Sequence, residues 1–281
     1  MRVNGSKSLI WAMPRRYPRG PRGCNSVRRM DVKPKQIYIT KRGAAYSCEE
    51  WTERWRQHGR FARNLELFAQ IEHYRQCRVL PRSVIEPTGF AEVAQQDEYD
   101  GVGMVWFRGE DALPAALEDP RIQELMDDEL DVFEGPIADR TLFCRELVGR
   151  DTGATTVKIV AAIRHKEGTT RADFRHHWEH VHKDIFLGIP EADRLVTKYV
   201  QNHALDGYEN EMDAQWDGIV EIGFARIEDI ATVFGSPEYM SRVRPDEESF
   251  LDMEHMLVVL TDDVLLYHDG LGKKHHATPL G

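Results

Sequence analysis

Four histidines, His176, His177, His180 and His182, lie within seven positions of the segment 174–186, FRHHWEHVHKDIF. Imidazole titrates near neutrality, so such a cluster can ligate a metal, move protons or simply solvate a helix. His176, Glu179 and His180 spell His-x-x-Glu-His, the pattern of one class of zinc hydrolases. That chemistry needs both imidazoles and a third ligand on one face, with Glu179 as base. On a helix advancing about 100° per residue, Phe174, Trp178, Val181 and Ile185 form the apolar stripe, and His176 and His180 point away from it. A solvated face is therefore expected for these two, and no metal. His182 borders the stripe one turn beyond Trp178, where it can stay polar and still look inward. His177 borders the other side and could equally be a packing histidine.

The helix carrying these groups belongs to a unit that is written twice. KQIYITKR (35–42) and VKIVAAIRH (157–165) each open a half with a strand-like run. CEEWTERWRQHGRFA (48–62) then lies over RADFRHHWEHVHKDI (171–185), so that Trp51 meets Phe174 and Trp55 meets Trp178. HYRQCRVL (73–80) lies over KYVQNHAL (198–205), sharing Tyr74/Tyr199 and Gln76/Gln201, and YDGVGMVWF (99–107) matches WDGIVEIGF (216–224). DPRIQEL (119–125) continues against SPEYMSRV (236–243), and each half closes on a last strand, 139–148 and 255–268. The order strand, helix, strand, strand, helix, strand is that of a ferredoxin-like domain. The fold class expected is therefore α+β: two ferredoxin-like βαββαβ repeats packed sheet to sheet as an intramolecular α+β barrel. The first half differs chiefly by a longer polar loop, about 81–98. The expected organisation is a basic, disordered arm over 1–34, repeats over 35–150 and 155–269, and a tail over 270–281.

In these segment alignments Gly59 stands opposite His182, Arg78 opposite His203 and Met104 opposite Glu221, while His58 falls opposite Val181 in the core stripe. This makes the first repeat the degenerate one and places the site in the second. Tyr199, Gln201 and His203 alternate onto one side of their strand. If that side is inward, His182 and His203 converge on one pocket with Tyr199 as hydroxyl donor and Trp178 as apolar wall. If it faces the helices, His203 is a core residue, and the pattern alone leaves the two alternatives open.

From KIVAAIRHKEGTTRADFRHHWEHVHKDIF through KYVQNHAL and WDGIVEIGF to SPEY, roughly residues 156–268, the chain resembles an EthD-type dimeric α+β barrel domain, and about 35–148 resembles a diverged copy. The resemblance implies barrel pairing and cofactor-light chemistry on small, often aromatic or polyketide-like molecules. It spans decarboxylases, dehydratases, oxygenases and auxiliary proteins of ether degradation, and it tips His203 towards the pocket. His182 and His203 are then the expected catalytic pair, and Tyr199, Trp178, Glu221 and Phe186 the expected substrate contacts.

Two histidines in an apolar cavity can act as base and acid for one substrate, and no cofactor is expected. The first expectation is a lyase-type acid/base enzyme, dehydrating or decarboxylating a small aromatic or polyketide-like molecule. An EthD-type oxidoreductase or cofactor-free monooxygenase would need the same histidines, and a non-catalytic binding or auxiliary protein is the third possibility.

Composition bounds these choices. The 281 residues carry a net charge of −10, which argues against a nucleic-acid surface, although residues 1–30 hold eight basic side chains and no acid. Pro14, Pro18 and Pro21 interrupt any long helix there. No apolar run approaches the roughly 18–20 residues that cross a bilayer, so no membrane partner is expected. Cys24, Cys48, Cys77 and Cys144 form no paired framework, as in a reducing, cytoplasmic setting. A chain that closes its own barrel need not form a homodimer, though it could.

Overall fold

The computed structural model describes residues 33–206 and 215–268. The basic arm through residue 32 and the tail from residue 269 lie outside them.

The first repeat runs β1 (Pro34–Thr40), α1 (Cys48–Ala62), β2 (Ile71–Arg78), α2 (Arg82–Ile85), β3 (Gly101–Phe107), α3 (Ala112–Leu117), α4 (Ile122–Val132) and β4 (Thr141–Asp151). The second runs β5 (Val157–Ile163), α5 (Arg171–His177), α6 (Lys183–Leu187), α7 (Pro190–Leu195), β6 (Val196–Ala204), β7 (Gly218–Phe224), α8 (Glu228–Phe234), α9 (Arg244–Phe250), β8 (Leu257–Asp262) and β9 (Leu265–His268). Helix starts are written locally. Ser47 and Glu50 close a capping box on α1, and the Thr170 hydroxyl accepts from the Asp173 amide at the start of α5.

The strands form one sheet in the order β8-β5-β7-β6-β4-β1-β3-β2-β9. Each half keeps the ferredoxin-like order, and the halves join edge to edge through antiparallel β4 and β6. The far edges meet as well. Val79 bridges Thr261, the Leu80 amide donates to the Leu260 carbonyl at 2.8 Å, and β2 pairs with β9. The expected intramolecular barrel is therefore present, and its closure comes from hydrogen-bonded edges.

One set of side chains fills the barrel, among them Ile37, Val102, Met104, Leu142, Val160 and Val259. The alternate set lies under the helices as separate cores of the two halves. With both faces covered, β1 and β5 are buried at every position. The long loop of the first half is not merely polar. It places Ile85 and Ala94 in the core of the second half, sets Phe90 edge-on to Phe234 at 5.0 Å, and hydrogen-bonds Gln96 to the Leu260 amide and carbonyl.

Between α5 and α6 the helix makes a π turn over Trp178–His182, and a second π turn, Tyr239–Val243, precedes α9. A π turn accommodates one extra residue in a helix. The buried positions consequently run Phe174, Trp178, His182 and Phe186, whereas Val181 is exposed. This corrects the stripe drawn through Val181 and Ile185 for an uninterrupted α-helix.

Candidate active site

The π turns also correct the pairing of the repeats. Counting across the inserted residue sets His58 opposite His182 and Ala62 opposite Phe186, so Gly59 is not the partner of His182. The insertion before α9 likewise sets Asp128–Glu129 opposite Asp246–Glu247. His58 Nδ1 lies 2.7 Å from Asp128, and His182 Nδ1 lies 2.8 Å from Asp246. A second basic side chain reaches the same carboxylate in each half. It is Arg54 on Asp128, and at the corresponding position His177 on Asp246 at 2.8 Å. Beneath them Gln76 donates to the Trp55 carbonyl and the Tyr74 hydroxyl, and Gln201 donates to the Trp178 carbonyl and the Tyr199 hydroxyl. The two halves thus hold the same constellation.

The second half places five of the six expected site residues on the helix side of its sheet. Tyr199 stacks on Phe186 at 5.3 Å, His203 packs on Trp178 at 4.5 Å, and Phe186 lies 6.3 Å from His182. Tyr199, Gln201 and His203 therefore face the helices, which corrects the barrel-interior arrangement. His182 and His203 share no hydrogen bond or ring contact among the described residues. Glu221 is on the opposite face of the sheet, inside the barrel, because side chains alternate along β7. There it accepts from Lys35 at 2.6 Å, Lys158 at 2.7 Å and Asn202 at 3.2 Å. Burial opposes its charge, but the two lysines hold its carboxyl well below the usual range.

His203 is 2% exposed, with Nε2 3.3 Å from the Gln201 carbonyl oxygen and Nδ1 without a partner among the described residues. Burial, reinforced by Arg145, pushes this imidazole down to about 4. The unfolded chain takes up that proton near pH 6.5 and the folded protein only near 4. The stabilisation is therefore complete above about pH 6.5 and is lost as pH falls towards 4, by about 3 kcal/mol in all. Urea unfolding at a series of pH values should show this acid slope in the wild type and a flatter one in His203→Gln.

His176 and His180 are exposed, and Glu179 is engaged by Arg145 at 2.7 Å. Among the described residues no group of three or more His, Cys, Asp or Glu is arranged to hold a metal ion.

In the first half the space between the helices and the sheet is not filled. A cavity of about 90 Å³ lies between α1, α4 and the sheet, and its lining includes His58, Glu129, Tyr38, Tyr74, Ala62 and Ile122. Its origin is a set of size exchanges between the repeats. Ala62 stands where Phe186 fills the second half. From Pro120 and Pro237, Ile122 falls opposite Tyr239, whose hydroxyl donates to Glu247 at 2.8 and 2.9 Å. Glu129 has no such donor and makes no side-chain hydrogen bond to a described residue. Burial, then the neighbouring Asp128 charge, pushes its carboxyl up to about 8. Tyr38 lies across Gly103, where a Cβ would come within 1.9 Å of its ring, and its hydroxyl sits 3.1 Å from that of Tyr74.

The hydrogen bond from His58, acting against burial, lowers Asp128 to about 2. An ionised Asp128 accepts from His58 Nδ1, and in the neutral ring this arrangement makes Nε2 the acceptor. Nε2 makes no hydrogen bond to another described residue, and the cavity that His58 lines also holds a carboxyl and two phenols. The sequence register hid this copy, although Asp-Glu in MDDEL and again in RPDEES marks the extra residue before α9.

A family model described as the EthD domain matches residues 45–135 and 166–254. Among curated proteins no sequence matches this one. Solved structures share the fold at very low identity. A protein of Fusobacterium nucleatum assigned as a monooxygenase superposes with a TM-score of 0.54 at 6% identity, covering 84% of this chain and 94% of that one. An anthrone oxidase-like protein gives 0.51 at 8% identity over 83% and 91% of the two chains, and a protein assigned as a chlorite dismutase gives 0.50 at 11% over 84% and 96%. Among the described residues no helix is long and apolar enough to cross a membrane.

Proposed function

The chain belongs to the EthD domain family, with one copy in each half, and from that premise we propose that it is an acid/base enzyme acting on a small, largely apolar molecule, aromatic or polyketide-like, by dehydration or decarboxylation. The supporting observation is His58, whose Nδ1 is held by Asp128 and which lines an apolar cavity. An imidazole held in this tautomer can take a proton at Nε2 and return it within one turnover. The apolar lining keeps the reacting oxygen away from water.

A second seat for the same chemistry is His182 with His203, Tyr199 and Trp178 in the other half. The Nδ1 of His203, unpartnered among the described residues, favours it. Direct reaction of dioxygen with a deprotonated phenol is the oxidative version, and it uses the same base. The likeness to an anthrone oxidase-like protein motivates including it in the test.

A panel of hydroxylated and carboxylated aromatic and polyketide-like compounds, followed by mass spectrometry with and without dioxygen, separates the two reactions. Once turnover is found, His58→Ala should lower kcat/KM by about 10²-fold or more, with His182→Ala near wild type. The reverse ranking moves the reaction to the second half. Unaltered turnover in both variants removes the acid/base assignment.

A further inference from the structure

The cavity of the first half contains one group that the histidine chemistry does not use. Glu129 is 5% exposed, projects from α4 beside the His58–Asp128 pair, and has neither an ion pair nor a side-chain hydrogen bond among the described residues. Its counterpart Glu247 is satisfied by Tyr239. Every ionisable group around Glu129 disfavours a second negative charge or is already engaged. Asp128 on its own helix is ionised and holds His58 of α1, Arg54 of α1 is bound to Asp128 and Asp131, and Tyr38 of β1 and Tyr74 of β2 hydrogen-bond each other. A buried carboxyl without a cation keeps its proton, and a carboxylic acid is a hydrogen-bond donor where a carboxylate is an acceptor.

We propose that Glu129, as a neutral carboxylic acid, donates a hydrogen bond to the oxygen anion of an enolate or phenolate bound in the first-half cavity. The inference rests on the acid/base assignment of His58 and deepens it by naming the species that the site stabilises. In the step considered, a C–H or O–H bond of the substrate breaks, and its proton passes to His58 Nε2. The electron pair is left on the substrate as an enolate or phenolate whose oxygen meets the Glu129 hydroxyl. No electrons leave the substrate, and the Glu129 proton is shared without being spent. A donor that meets charge as it develops in a dry site contributes more than the same bond in water. The substrate class that fits is a planar apolar molecule with one acidic enol or phenol, small enough for the space that Ala62 and Ile122 leave open.

4-Nitrophenol is the probe, because its visible spectrum distinguishes phenol from phenolate. The wild type should bind it as the phenolate at a pH where the free compound is largely protonated. Glu129→Leu, which removes the donor, should weaken phenolate binding by roughly 10–100-fold, the scale of one donor lost from an anion site. Ala62→Phe, which supplies the side chain found in the second half, should abolish binding. The wild-type infrared spectrum should contain a protonated-carboxyl band at pH 6 that disappears on titration through about 8 and is missing in Glu129→Gln. This band reports on Glu129 whether or not any variant binds the probe. The proposal is overturned if the band is absent at pH 6, if the wild type fails to bind 4-nitrophenol, if Ala62→Phe still binds it, or if Glu129→Leu binds phenolate like the wild type. Wild-type turnover by His58→Ala would instead remove the acid/base assignment while the band persisted.

Discussion

Glu221→Gln is expected to destabilise the protein by about 3–5 kcal/mol, the usual cost of removing one partner from a buried ion pair. Lys35 and Lys158 are both 0% exposed inside the barrel, and Glu221 is the carboxylate they share. The remaining anions are already engaged. Lys35 also reaches Glu146 at 2.7 Å, while Asp263 serves Arg75 at 2.8 Å, Lys158 at 3.2 Å and Lys198 at 3.8 Å. Neutralising Glu221 leaves an excess cation where water cannot reach it. Adding Lys158→Met should recover part of the loss, because it removes the unmatched charge together with its desolvation cost. Urea unfolding of the two single variants and the double variant measures the coupling. Strict additivity would mean that Glu221 and Lys158 do not support each other.

The second large effect concerns pH and runs opposite to the usual behaviour of a carboxylate. Folded Glu129 keeps its proton up to about pH 8, whereas the unfolded chain releases it near 4.5. Between those values the folded state binds more protons, so the stabilisation is complete below about pH 4.5 and is lost as pH rises through 8. Gln retains the shape and donor of the neutral acid and does not titrate. Glu129→Gln should therefore match the wild type near pH 4.5 and exceed it by about 3 kcal/mol at pH 7, rising to roughly 4–5 kcal/mol above pH 8. Thermal or urea melts across this range test it. Parallel profiles for the two proteins would show that the carboxyl is ionised in the fold. A group that lowers stability at neutral pH is retained most readily where it acts, as at other sites that exchange stability for function.

The duplication and strand order were legible because they rest on short-range patterns. Alternation marks strands, Asp-Gly precedes β3 and β7, and Pro120 and Pro237 hold equivalent places. The site was harder to see for a specific reason. A π turn adds one residue within an otherwise continuous helical pattern, and a gapless comparison absorbs it silently. Each later position is then compared with the wrong neighbour, which set His182 against Gly59 and hid the matching role of His58. The direction of Tyr199 and His203 was equally hidden, since both faces of this sheet are buried and both accept apolar side chains. Glu221 was visible as an unusual acid in a strand, but the lysines that explain it, Lys35 and Lys158, come from two other strands.

The peptide link between Asp151 and Val157 has a consequence beyond holding the barrel closed. Where a ring of strands is assembled from two identical polypeptides, a change in one is imposed on both by symmetry. Fusion lifts that constraint. Ala62 can be small where Phe186 is large, and Ile122 can lack the hydroxyl that Tyr239 carries, so a single gene product can keep one half hollow and the other filled.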